Sequence, residues 1–310
     1  MHERGRVAVL ARLLLKLGMD TRVRSASLTP SPAAAAAAGG VWHAELSLAY
    51  ERRGARTVLA QRSHRGPLRV QKSLYPEGDS VCHTILVHPP AGIAGGDHLR
   101  VDVRVGEGAH VLLTTPGAGK WYRSAGAQGV LEQRIVVAQG AVCEWLPQEG
   151  IVHEGARATM LTEVQLAAGA GFVGSEMLCF GRTASGERFR SGAMRLHTRI
   201  ERDGRPLWLE RGLVQGGRPL LDAAVGLHGQ PVSGTLVLAS PQCDEALRDA
   251  WRACVPQVGM GAVSLLPGVL LARWLGPACE PGQGWFRQLW GVARRVVAGR
   301  AARLPRIWNT

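Results

Sequence analysis

The sequence predicts a mainly β fold, with long sheets in a layered, β-helix or solenoid-like arrangement and about two α-helices in the C-terminal part. Three observations predict it. From Trp42 onward apolar and polar residues alternate with the period of two that a half-buried strand imposes. The central third repeats a loose unit of strand end, Gly-Ala turn and new strand. After Ser240 the apolar residues take up helical spacing.

In chain order, residues 1–40 read as a poorly ordered, basic and Ala-rich extension, as an upstream start codon would add. The apolar run Val7–Met19 within it is interrupted by Arg12 and Lys16 and is too short to span a bilayer. Residues 41–310 then form a single domain. Trp42, Ala44, Leu46, Leu48 and Tyr50 alternate with polar residues, and Arg52-Arg53-Gly54 turns the chain into Thr57–Gln61 as a hairpin. Val70–Leu74 and Val81–Val87 are further strands, separated by a Pro76-Glu77-Gly78-Asp79 turn.

The repeat runs through Val105-Gly-Glu-Gly-Ala, Val137-Ala-Gln-Gly-Ala and Leu166-Ala-Ala-Gly-Ala, with Gly108, Gly140 and Gly169 spaced by 32 and 29 residues. Such a period suggests stacked coils, each burying a face against the next. Over about 241–299 the chain reads as helical. Ser240 is the expected N-cap with Pro241 at the first helical position, and Asp244-Glu245 suit the positive end of the helix dipole. A second helix over about 284–299 puts Phe286, Leu289, Trp290, Ala293, Val296 and Val297 on one face and arginines on the other.

The net charge of +13 is concentrated at the ends: residues 1–66 carry +7, residues 284–310 carry +6, and the span between them is neutral. A nucleic-acid reader gathers cations on one working face with stacking aromatics. That pattern is missing, and no nucleic acid or membrane partner is expected. The six cysteines include no Cys-x-x-Cys pair, which excludes a zinc knuckle or thioredoxin-like dithiol of local sequence. Scattered thiols suit a reducing cytoplasm.

Two glycine-rich stretches suggest nucleotide chemistry. Gly169-Ala-Gly-Phe-Val-Gly174 has the dinucleotide spacing, which requires a helix to open at the third glycine. Gly117-Ala-Gly-Lys120 resembles a P-loop end, yet Trp121 stands where the magnesium-binding hydroxyl is required. A nucleotide-dependent enzyme using the turns at Gly117 and Gly169 is therefore the alternative reading, and titration with ATP and NAD would reveal it. Cys82, His83 and His88 cannot chelate one ion from a single flat strand. Isolated acids in apolar or glycine-rich surroundings (Asp97, Glu149, Glu176 and Glu210) stand out instead.

Six ordered segments carry a family resemblance: His88-Pro-Pro-Ala-Gly-Ile-Ala-Gly-Gly-Asp97, Thr114-Thr-Pro-Gly-Ala-Gly-Lys-Trp-Tyr-Arg-Ser124, Glu144-Trp-Leu-Pro-Gln-Glu149, Leu178-Cys-Phe-Gly-Arg182, Trp208-Leu-Glu-Arg-Gly212 and Leu304-Pro-Arg-Ile-Trp-Asn-Thr310. In this order they resemble the urease accessory protein D family (UreD, also called UreH), from about Trp42 to Thr310. The family often has a GGIVGGD segment where this chain reads Ala91-Gly-Ile-Ala-Gly-Gly-Asp97, and a hydroxyl residue where Gly119 stands.

The resemblance implies a non-enzymatic, cytoplasmic urease maturation factor. It would be a chaperone that binds apo-urease, accessory protein F and the GTPase accessory protein G. It also implies nickel insertion through an internal passage, with no tightly bound cofactor and the nickel ion only in transit. By position in the matching motifs, Asp97, Glu176 and Glu210 are the passage carboxylates. Lys120, Tyr122 and Arg123 shape the adjoining turn. Trp285, Phe286 and Trp290 are the anchors expected to dock protein F, set against a core role covering the sheet.

Overall fold

A computed structural model describes residues 42–309. The expected extension over 1–40 and the terminal Thr310 lie outside the described residues. The alternation beginning at Ala44 forms β1 (His43–Arg53), which buries Ala44, Leu46, Leu48 and Tyr50, and the chain turns at Gly54 into antiparallel β2 (Arg56–Arg65). Beyond β1 the sheet continues in parallel through β5 (His98–Val105), β8 (Gly129–Val137), β11 (Arg157–Leu166) and β13 (Ala193–Arg202), and antiparallel β14 (Arg205–Gln215) closes it.

The second sheet starts at a short edge strand, β3 (Arg69–Val70), so the expected Val70–Leu74 strand survives only there and as a single bridge from Leu74 to His83. β4 (Val81–Val87), β6 (His110–Thr114), β9 (Val142–Trp145) and β12 (Gly171–Phe180) follow in parallel. Two short strands, β7 (Gly119–Trp121) and β10 (Gly150–Val152), lie beside β12. A one-turn helix, α1 (Pro219–Asp222), leads from β14 towards β15 (Val232–Ala239), which pairs antiparallel with β12.

The chain alternates between the sheets in about four coils of a β-solenoid. Its corners are the Gly-Ala units of the sequence. Ala109 N donates to Gly106 O, Ala141 N to Ala138 O and Ala170 N to Ala167 O, at 3.0–3.1 Å. Coil stacks on coil through Val142 N to Ala109 O and Gly171 N to Ala141 O, both 2.9 Å. Outward rows fix the register: Glu45, Arg100 and Glu132 lie side by side, as do Asp102, Arg134, Glu163 and Arg199. Each exposed pair contributes little. A one-residue slip, however, would put every inward apolar residue into water.

Just past the end of β12 stands Gly181, with φ +94° and an ideal Cβ position 2.5 Å from Glu187 O. Neither the conformation nor the space admits a side chain, which explains the glycine in Leu178-Cys-Phe-Gly-Arg182. Gly181→Ala is expected to lower the unfolding free energy by roughly 1–3 kcal/mol, read as a lower midpoint in chemical denaturation; an unchanged midpoint would contradict this account of the motif.

The C-terminal part departs from expectation in three ways. The stretch 241–299 holds a hairpin, β16 (Met260–Leu266) with β17 (Val269–Gly276), turning at Pro267-Gly268 and extending the second sheet. The first long helix, α2 (Glu245–Ala253), is capped by Asp244, whose Oδ1 accepts from Leu247 N at 2.8 Å, while Ser240 serves the turn before it. The second, α3 (Cys279–Val297), buries Trp285, Phe286, Leu289, Trp290 and Ala293 against the second sheet, but Val296 is exposed and Arg294 is buried on the apolar side. Among the described residues no helix is long and apolar enough to cross a membrane.

Candidate functional site

Between the two sheets lies a cavity of about 540 Å³. Most inward positions are apolar, yet one row of the first sheet turns polar: Leu46 and Val101 are followed in register by Gln133, Thr162, Thr198 and Glu210. These last four line the cavity. On the opposite sheet Glu176, Thr235 and Arg273 stand side by side on β12, β15 and β17. Arg273 bridges the two sheets, donating to Glu210 Oε1 and Thr235 Oγ1 at 2.6 Å each, with its guanidinium 5.4 Å from the centre of the Trp208 ring. The result is a polar seam between apolar walls that include Leu99, Met160, Phe172 and Leu178.

The seam holds two carboxylates and one guanidinium. Arg273 pairs with Glu210, while Glu176 is raised to about 7 by burial and by the negative charge of Glu210, with Arg273 opposing. A carboxyl so poised exchanges a proton for a cation near neutral pH. At the other end the cavity reaches the turns 115–120 and 147–150, where Gly119 N donates to Glu149 O at 2.8 Å. His88 also lines the cavity; its buried Nε2 has no hydrogen-bond partner, and burial lowers its pKa against the pull of Asp97.

Of the residues singled out in the sequence, His88, Lys120, Glu149, Glu176 and Glu210 line the cavity together. Asp97 does not. Its carboxylate closes the motif turn, accepting from Ala94 N at 2.8 Å and from Trp42 N at 3.3 Å. Tyr122 packs edge-on to His153 and fills the space over Gly92, while Arg123 backs a bridge to Ala156. Trp285, Phe286 and Trp290 are 3, 5 and 1 % exposed. Their face is occupied by the chain's own sheet, the core role weighed against docking.

The nucleotide alternative fails on geometry. Gly169 sits in a β-turn, and Gly171 and Gly174 run on into strand β12 where a phosphate-binding helix would have to open. Gly117 sits in a turn at the cavity. Isolation among apolar neighbours marks the acids but not Gln133, Thr162, Thr198, Thr235 or Arg273. Their signal was parity: Gln133 stands between inward Leu131 and Ile135, and Thr198 between Leu196 and Ile200, each a polar residue at an apolar phase.

Residues 43–309 match the family model described as UreD urease accessory protein. A urease accessory protein UreD of Azoarcus sp. (strain BH72) is 63% identical over 87% of this chain and 94% of that protein. Proteins of the same name from Dechloromonas aromatica (strain RCB) and Pseudomonas aeruginosa (strain PAO1) are 53% and 50% identical, each over 87% of this chain and 95% of theirs.

Proposed function

The chain belongs to the UreD urease accessory protein family, which gives it a role in urease maturation, and we propose that in that role it is a non-enzymatic scaffold conducting nickel ions to apo-urease along the seam between its sheets. The observation that carries this reading is the polar row at inward positions. A cation in transit needs an oxygen ligand at each step and no site deep enough to trap it. Gln133, Thr162, Thr198 and Glu210 on one wall, with Glu176 and Thr235 on the other, supply oxygens of that kind. Arg273 neutralises one of the two carboxylates and keeps the site from becoming a tight chelate. On this reading accessory proteins F and G load the ion, apo-urease receives it, and the cytoplasm is the compartment.

The test removes oxygens from the seam and spares both carboxylates. Gln133→Leu combined with Thr162→Val keeps volume and deletes two ligands. In cells expressing the urease operon, the nickel content and activity of purified urease should fall by about tenfold or more, since a desolvated cation then crosses an apolar gap. Co-purification of the variant with apo-urease should persist. Full nickel content with that variant would overturn the passage.

A further inference from the structure

Cys179 and Cys279 stand far apart in sequence, and the fold brings them together. Cys179 on β12 lies opposite Val232 of β15, and Val232 lies opposite Gly276 of β17. Three residues later Cys279 opens α3, whose first turn packs on β12 through Gly282 against Met177, and Cys279 joins the same apolar cluster as Cys179. The Cys179 Sγ also meets Thr183 Oγ1 at 3.7 Å and, as a thiol, donates to Gly181 O at 3.2 Å. By strand parity it faces the helix side of the sheet, away from Glu176 and the cavity. Cys179 is buried and Cys279 is half-exposed, so the pair has an outward member.

The other described cysteines lack such a neighbour. Burial raises the pKa of Cys143 and of Cys243, which disfavours their thiolates. At Cys179 the neighbouring Cys279 thiol outweighs burial and lowers the pKa, while Cys279 is pushed up. This is the division of labour of a reactive dithiol: one sulfur gives up its proton more readily than its neighbour.

We propose that Cys179 and Cys279 form a reversible redox couple, which a hydroperoxide converts to an intramolecular disulfide tying β12 to the first turn of α3. The Cys179 thiolate attacks the O–O bond of hydrogen peroxide, and with one proton taken up the products are a sulfenic acid and water. The Cys279 thiol then attacks that sulfur, the S–O bond breaks, and a second water leaves with the thiol proton. The two sulfurs together lose two electrons and the peroxide gains them. A dithiol reductant reverses the change. The same end of α3 also holds the 147–150 turn that lines the cavity, because Gln283 donates to Gln148 at 3.1 Å and to the Glu149 carboxylate. The disulfide would therefore stiffen β12 and the 147–150 turn of the cavity together.

The experiment exposes the purified full chain to stoichiometric hydrogen peroxide, alkylates it with N-ethylmaleimide and maps its peptides. The expected result is a Cys179–Cys279 cross-link formed about tenfold or more faster than modification of Cys243 or Cys254, abolished by dithiothreitol and accompanied by a higher thermal midpoint. In Cys279→Ser, Cys179 should be trapped by dimedone as sulfenic acid. Retention of both thiols under conditions that oxidise Cys254, or cross-links joining other cysteines instead, would overturn the proposal without recourse to any variant.

Discussion

Arg294→Met is expected to lower the unfolding free energy by roughly 3–5 kcal/mol, the cost of breaking a buried ion pair by removing one partner. Arg294 is 1 % exposed and donates to both oxygens of Glu77 at 2.6 and 2.7 Å, to Glu144 at 3.1 Å and to Ala301 O at 2.8 Å. Glu77 also meets His83 at 2.6 Å, and Glu144 meets His110 and the Trp290 indole. Two carboxylates are thus held under α3 by one guanidinium. Removing it leaves two buried carboxylates without their guanidinium, held only by His83, His110 and the Trp290 indole, whereas removing a carboxylate with it relieves part of the cost.

Urea titration of Arg294→Met, Glu144→Gln and the double variant checks this. The double variant should lose clearly less than the sum of the singles, and additive losses would mean that the network is not one unit. The pH dependence has a definite sign. Although burial opposes it, hydrogen bonds from His83 and Arg294 hold Glu77 down at about 2, against 4.5 when unperturbed. Its contribution to stability is present above pH 4.5 and is lost as pH falls from there towards 2. Thermal midpoints of the wild-type chain should drop across that interval, and the drop should be smaller in Glu77→Gln.

The same network shows what the sequence reveals and what it conceals. The coils are visible in it because period-two alternation and Gly-Ala corners are local signals, and the structure puts Gly108 and Gly140 at φ +63° and +64° in those corners. Arg294 is different. It falls four residues after Trp290, on the buried side of α3, and only its partners at Glu77 and Glu144, some 150–217 residues away, make that position tolerable. No local pattern encodes such partners, and by helical spacing alone Arg294 belongs to the polar face and exposed Val296 to the apolar one.

The β16–β17 hairpin was obscured for a related reason. Strand β17 is an apolar run buried on both faces and has no alternation, and only Pro267-Gly268 marks the turn. The candidate passage was half visible. Glu176 and Glu210 stand out as acids among apolar neighbours, but Arg273 joins them only through pairing between sheets. Asp97 shows the converse case, an acid in a glycine-rich motif whose work is to satisfy backbone N–H groups.

Glu176→Gln is expected to make the protein more stable and less competent at once. In the folded chain this carboxyl titrates at about 7, against 4.5 when unperturbed, because burial and Glu210 disfavour its charge. A raised carboxylate pKa costs stability as pH climbs: nothing is lost below 4.5, and the full penalty is present above 7. The neutral glutamine escapes it, so at pH 8 the variant should gain up to on the order of 3 kcal/mol over wild type, and at pH 4 the two should coincide. Function should move the other way. Glu176 offers an anionic oxygen only above about 7, so wild-type urease activation in a reconstituted assay should rise through that pH, while Glu176→Gln should be low and flat. A purely structural carboxyl would show the stability gain with activation intact, and that combination would remove Glu176 from the passage. Lower stability at pH 8 would instead mean that the folded protein holds Glu176 ionised, paired with Arg273 in place of Glu210.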